Sequence, residues 1–124
     1  MAFDKVVKKF TDDSYVTYGF VFGNQTIVFI KAGAFETHEG KDGKYLKMAQ
    51  LVHNNLGATV ICSSNHEESI EMDERAINFA VKTLGCNDDF KLIFVGVSDG
   101  AYQNLDLAKR FKQTKKILSI MLHT

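Results

Sequence analysis

The residues best placed to do covalent chemistry are Gly96-Val97-Ser98-Asp99-Gly100. A serine hydroxyl becomes a useful nucleophile when the backbone presents it and a neighbouring base takes its proton. The apolar run Leu92–Val95 leads into this stretch, and Ala101, Leu105, Ala108 and Phe111 follow at helical spacing. The order is strand, sharp turn, helix. Glycines two before and two after the serine leave space where side chains would collide with strand and helix. The serine between them is expected in a strained backbone conformation, its hydroxyl held above the sheet edge. The plain alternative is a tight strand-to-helix turn with no chemistry.

Two other segments sit at equivalent places. Ala32-Gly33-Ala34-Phe35 follows the apolar run Thr26–Ile30, and Ser64-Asn65-His66-Glu67-Glu68-Ser69 follows Ala58–Cys62. The chain has four histidines, His38, His53, His66 and His123; of these, His38 with Glu39, on the loop that follows Ala32–Phe35, and His123 could face the same cleft as Ser98. His53 reads as solvent-facing on a helix. His123 follows the last apolar run, so it would approach Ser98 from the adjacent strand, about 4.8 Å away. A frayed terminal histidine is the competing reading. Cys62 and Cys86 fit neither a metal site nor a redox pair and read as one buried and one surface thiol.

The positioning elements follow from periodicity. Val6, Val7 and Phe10 suggest a first strand, and Thr11-Asp12-Asp13-Ser14 a turn. Tyr15–Phe22 is rich in aromatic and β-branched residues and reads as a second strand, antiparallel to the first. Thr26–Ile30 and Ala58–Cys62 are continuous apolar runs, as in strands covered on both faces. Lys31–Gly43 reads as a polar loop. Lys44–Leu56 is a helix with Tyr45, Met48, Ala49, Val52 and Leu56 at helical spacing and Gly57 as its stop. Glu71–Leu84 is a second helix, with Glu71, Asp73 and Glu74 favouring its N-terminus. The third helix follows Ser98, and Ile117–Leu122 is a last strand. Strands alternating with helices predict parallel pairing through right-handed crossovers. The fold class is therefore α/β: a three-layer α/β/α sandwich in one domain, 1–124. Its sheet has about six strands, mostly parallel, with an antiparallel N-terminal hairpin.

Taken together, these residues resemble the α/β-hydrolase family. Gly96–Gly100 matches its G-x-S-x-G elbow, with Ser98 at the nucleophile position. Ala32-Gly33-Ala34 stands where the family carries a His-Gly-type loop, with Lys31-Ala32 in place of the usual histidine. The resemblance implies that the backbone N–H groups of Ala34 and Asp99 hold an oxyanion. His66 and Ser69 match a Gly-His-Gly-x-Ser loop whose two glycines are replaced here, and that histidine is structural in the family. It also implies a truncated α/β-hydrolase-like sheet in the order 1-2-4-3-5-6. The family's acid and histidine follow later strands, and this sequence reaches Thr124 first. His123, or a histidine of another subunit, is the expected substitute.

Fifteen basic residues balance fifteen acidic ones, so no nucleic-acid partner is expected. No run is long enough for a membrane span, and a cytoplasmic location is expected. No cofactor and no metal is implied. Lys109, Arg110, Lys112, Lys115 and Lys116 read as a solvated face. The apolar last strand would be an open edge, which predicts a homodimer or a second chain there. Two functions fit. One is an esterase or acyl hydrolase acting on a small ester, with activity that is weak or dependent on assembly. The other is a non-catalytic binding or assembly module. A flavodoxin-like nucleotide binder is disfavoured, because no Gly-rich phosphate loop follows the first strand.

Overall fold

The computed structural model describes residues 2–8, 10 and 15–121. The strands are β1 (Lys5–Lys8), β2 (Thr17–Val21), β3 (Asn24–Lys31), β4 (Ala58–Ser63), β5 (Lys91–Val97) and β6 (Thr114–Ile120). The helices are α1 (Lys44–Leu56), α2 (Ile70–Leu84) and α3 (Gly100–Ala108), with a 3-10 turn at Lys41–Gly43 before α1. The six strands form one sheet in the order β1-β2-β4-β3-β5-β6. β1 and β2 are antiparallel, as are β2 and β4; the other pairs are parallel. The expected architecture and strand order are both present. Thr11–Ser14, Leu122 and His123 lie outside the described residues.

Alternation along β3 explains why this sheet needs cover on both sides. Ile27 and Phe29 point to one face, with Phe20, Ile61, Leu92 and Phe94. There they meet Met72, Ala76, Ile77 and Ala80 of α2 and Leu107 of α3. Val28 and Ile30 point to the other face and pack with Val60, Cys62 and the Tyr45 and Ala49 side of α1. One helix thus covers a face that two helices cover opposite. Towards β6 that face thins out: Ile93 and Val95 are half-buried, and Leu118 is 48% exposed.

Gly57 and Gly85 end α1 and α2 at φ 67° and 68°, in the left-handed conformation open to glycine. Several expectations shift. Leu56 and Leu105 are exposed: Leu56 is the last residue of α1, and Leu105 falls at the rim of the buried stripe of α3. Cys86 is buried like Cys62, since it tucks under the end of α2 with its amide bonded to the Val81 carbonyl. His53 is part-buried, its Nδ1 2.9 Å from the Ala58 carbonyl. β6 begins at Thr114, three residues before its apolar run, because its pairing with β5 extends back to Leu92. Lys31 is the last residue of β3 and fully buried, not the start of a solvent loop.

Candidate active site

Strand register brings the chemically interesting loops to one edge of the sheet. Lys31 stands opposite both Ser63 and Gly96, and Gly96 stands opposite Ser119. The chain therefore leaves β4, β3, β5 and β6 at one level, beyond the carboxyl ends of the parallel strands, where open α/β sheets bind ligands.

At the end of β5, Ser98 has φ 49°, an uncommon value for a residue with a Cβ. Its N–H donates to the Ile120 carbonyl at 2.7 Å, and its carbonyl accepts from Ala101 N–H at 3.1 Å. These two bonds fix the turn between β6 and α3. The flanking glycines are there because backbone is in the way. A Cβ on Gly96 would lie 2.3 Å from the Ala101 Cα, and one on Gly100 would lie 2.5 Å from the Ala32 carbonyl oxygen. The second contact also shows that the start of α3 presses directly on the loop after β3.

That loop turns at Gly33–Glu36, where Glu36 N–H donates to the Gly33 carbonyl at 3.1 Å. Phe35 N–H donates to the Asn65 carbonyl at 2.6 Å, and Asn65 N–H to the Glu36 carbonyl at 2.9 Å. The side-chain amide of Asn65 donates to the Ala32 carbonyl at 3.0 Å and to Asp99 Oδ2 at 3.3 Å. Asn65 thus ties three loops together. Its position after β4 was legible in the sequence, its role was not. Among the described residues, neither the Ala34 nor the Asp99 backbone N–H has a hydrogen-bond acceptor.

The Glu36 carboxylate closes the turn. It accepts from Gly33 N–H at 3.1 Å, Tyr45 Oη at 2.5 Å and Lys44 Nζ at 2.5 Å. Partial burial pushes its pKa up, but Lys44, Tyr45 and Gly33 together outweigh this and hold it below the ordinary value of 4.5. The sign follows. A depressed folded-state value makes the stabilisation complete above the unfolded-state value and lost as pH falls through the folded one. Thermal melts of the wild type should therefore lose more than those of Glu36→Gln below pH 4.5, the two curves converging in acid. Parallel curves would show that the carboxylate's charge does not matter.

Beneath the loops lies a buried polar cluster. Lys31 Nζ is 3.0 Å from Asp73 Oδ2, and the two side chains are 0% and 2% exposed. The ammonium also donates to Ser63 Oγ at 3.0 Å, the Ser64 carbonyl at 2.8 Å and Ser69 Oγ at 2.8 Å. Asp73 Oδ1 accepts from Tyr18 Oη at 2.6 Å, Ser63 Oγ at 3.0 Å and Ser69 Oγ at 3.2 Å. Burial and the Asp73 charge push the Tyr18 phenol up, so it stays a donor. This cluster fastens the ends of β3 and β4 to the first turns of α2.

Beside the elbow is a cavity of about 350 Å³ lined by residues that include Ala34, Asn65, His66, Asp99 and Gln103. It joins the loop of Ala34 to the loop of Asp99. His66 is the only histidine lining it among the described residues. His38 is elsewhere: its Nδ1 lies 2.8 Å from Thr17 Oγ1 on β2. β2 is three strands from β5, roughly 14 Å at ordinary spacing. His38 and Glu39 therefore do not face Ser98. His123 lies outside the described residues. Val97 pairs with Ile120, so β6 ends at the level of Ser98.

Sheet order, crossover pattern and the sharp turn after β5 define an α/β-hydrolase-like fold. Solved structures agree. The chain is similar to the esterase Est22 (TM-score 0.61, 14% identity), covering 88% of this chain and 38% of that one. It is similar to a bacterial heroin esterase (TM-score 0.58, 17% identity; 89% and 41% covered). It is similar also to a monoacylglycerol lipase from Paleococcus ferrophilus (TM-score 0.54, 18% identity; 86% and 42% covered). The chain thus spans about two fifths of the length of these proteins, and the likeness is a partial one, of fold. No family model and no curated protein matches the chain.

Proposed function

We propose that the chain is an ester hydrolase of the α/β-hydrolase kind, with Ser98 as nucleophile and the Ala34 and Asp99 amides as oxyanion donors. The single observation carrying this reading is the strained backbone of Ser98 between two glycines in enforced backbone contact. A turn without chemistry would be relieved by glycine at the strained position; here the serine occupies it and the glycines flank it. The unpartnered Ala34 and Asp99 amides on adjoining loops add to the reading, as do fold neighbours that are themselves esterases. The substrate class is a small carboxylic ester. Attack by Ser98 Oγ on the carbonyl carbon would expel the alcohol and leave an acyl-enzyme, which water then cleaves. The base is His123, three residues beyond Ile120, or a histidine brought by another subunit. Without a base the site retains only the residual rate of its oxyanion donors.

Assembly belongs to this reading. Ile117, Leu118 and Ile120 of β6 are 42%, 48% and 36% exposed, and Met121 is 60% exposed. An edge strand of this kind pairs readily with another chain. We place a second copy or a second chain on it.

A fluorophosphonate probe tests both points. Ser98 should be labelled, labelling should vanish in Ser98→Ala, and it should rise with protein concentration if the base crosses a subunit boundary. His123→Ala should abolish it if the base is local. Folded protein that remains unlabelled at every concentration would sink the enzymatic reading. Sedimentation showing monomer alone at micromolar concentration would sink the assembly.

A further inference from the structure

The lining of the cavity beside Ser98 is one-sided in charge. Glu67, Glu68 and Asp99 contribute carboxylates, and no lysine or arginine lines it. None of the three forms an ion pair among the described residues. Their hydrogen bonds are to neutral donors: Glu67 Oε1 accepts from Tyr15 N–H at 2.6 Å, and Asp99 Oδ2 from the Asn65 amide. The chain as a whole is charge-balanced, so this imbalance is local.

The aromatic lining is the second observation. Phe35 and Tyr102 line the same cavity and are 80% and 70% exposed. Phe35 is held outward by a left-handed backbone, φ 65°, pinned by its bond to the Asn65 carbonyl. Burial does not explain an outward phenylalanine on a strained turn. Ring faces carry the negative end of the ring quadrupole, so they attract cations and repel anions. Carboxylates beside them act in the same direction.

We propose that this cavity selects esters bearing a permanent positive charge, an ammonium group seated against Phe35 and Tyr102 with Glu67, Glu68 and Asp99 around it. The proposal rests on the esterase reading for its chemistry, while the cation preference itself is a property of the cavity. Such a cavity also repels the carboxylate product once the ester is cleaved, and it disfavours substrates with an anionic acyl chain.

Two measurements separate the preference from the reaction. The first is a nuclear magnetic resonance titration with choline and with its uncharged isostere 3,3-dimethylbutan-1-ol, following the ring protons of Phe35 and Tyr102. Choline should bind about tenfold more tightly in low salt, and the ratio should shrink as salt screens the carboxylates. Glu67→Gln combined with Glu68→Gln should lower the ratio, and adding Tyr102→Leu should lower it further. The second compares kcat/KM for acetylcholine and 3,3-dimethylbutyl acetate, where the same preference is expected. Equal binding of the two alcohols, or a preference left unchanged by the two glutamate changes and by Tyr102→Leu, would overturn the proposal. Choline binding without turnover of either ester would uphold the preference and remove the esterase reading. Turnover of both esters at equal efficiency would do the reverse.

Discussion

Lys31→Met should destabilise the protein by about 3–5 kcal/mol, the usual cost of removing one partner of a buried ion pair. The reason lies in what remains. Asp73 would stay buried with its charge uncompensated, held only by the hydroxyls of Tyr18, Ser63 and Ser69. Domains of this kind are stable by about 5–15 kcal/mol in total, so the loss is a large fraction. Urea unfolding should show it as a lower midpoint with an unchanged slope. Lys31→Met combined with Asp73→Leu should recover part of the loss, because no isolated charge is then left. A Lys31→Met protein within about 1 kcal/mol of wild type would show that the buried pair does not hold the fold together.

The second large effect is a contrast at the elbow. Gly96→Ala places a Cβ 2.3 Å from the Ala101 Cα, with backbone, not a flexible side-chain tip, in the way. Strand β5 and helix α3 would separate, at a cost of about 1–3 kcal/mol or more. Ser98→Gly should do the opposite. It releases the strain of φ 49°, and the gain of about 1 kcal/mol survives the extra freedom glycine brings to the unfolded chain. Fluorophosphonate labelling should disappear in Ser98→Gly despite its higher melting temperature. Gly96→Ala should lose labelling and stability together. If Ser98→Gly were less stable than wild type, the turn would be an ordinary one and the serine a structural residue.

The fold was readable because its signals are local and repeated. The apolar runs of β3 and β4 and the glycines at 57 and 85 mark element types and ends without reference to the rest of the chain. The elbow was readable because strand, G-x-S-x-G and helix follow one another directly in the sequence, and Gly96 answers to a contact with Ala101 only five residues on; the contact that requires Gly100, with the Ala32 carbonyl, is long-range and was not legible. The buried cluster was not. Asp73 reads as one of three acids at a helix start, and Lys31 as the beginning of a polar loop. Nothing near either residue indicates the other, 42 positions away, and only the register of β3 with β4 brings them together. Asn65 was hidden for the same reason: its partners Ala32 and Asp99 come from two other loops. The exposure of Cys86 was misjudged because a residue after a helix-ending glycine normally faces outward.

The position of β4 has a consequence for how the chain reaches this state. β2 and β3 are joined only through Phe22 and Gly23, yet they do not pair; β4, which follows α1, lies between them. Hairpins form within about 1–10 μs, far sooner than a slot can be filled by a strand arriving across a long loop. The pairing nearest in sequence, a β2–β3 hairpin, is thus one that the finished sheet does not contain. In the finished molecule a Cβ on Gly23 would lie 2.2 Å from the Gly57 carbonyl oxygen, so the connection is threaded tightly against the chain entering β4. Folding here is a matter of keeping a gap open until its occupant has been made.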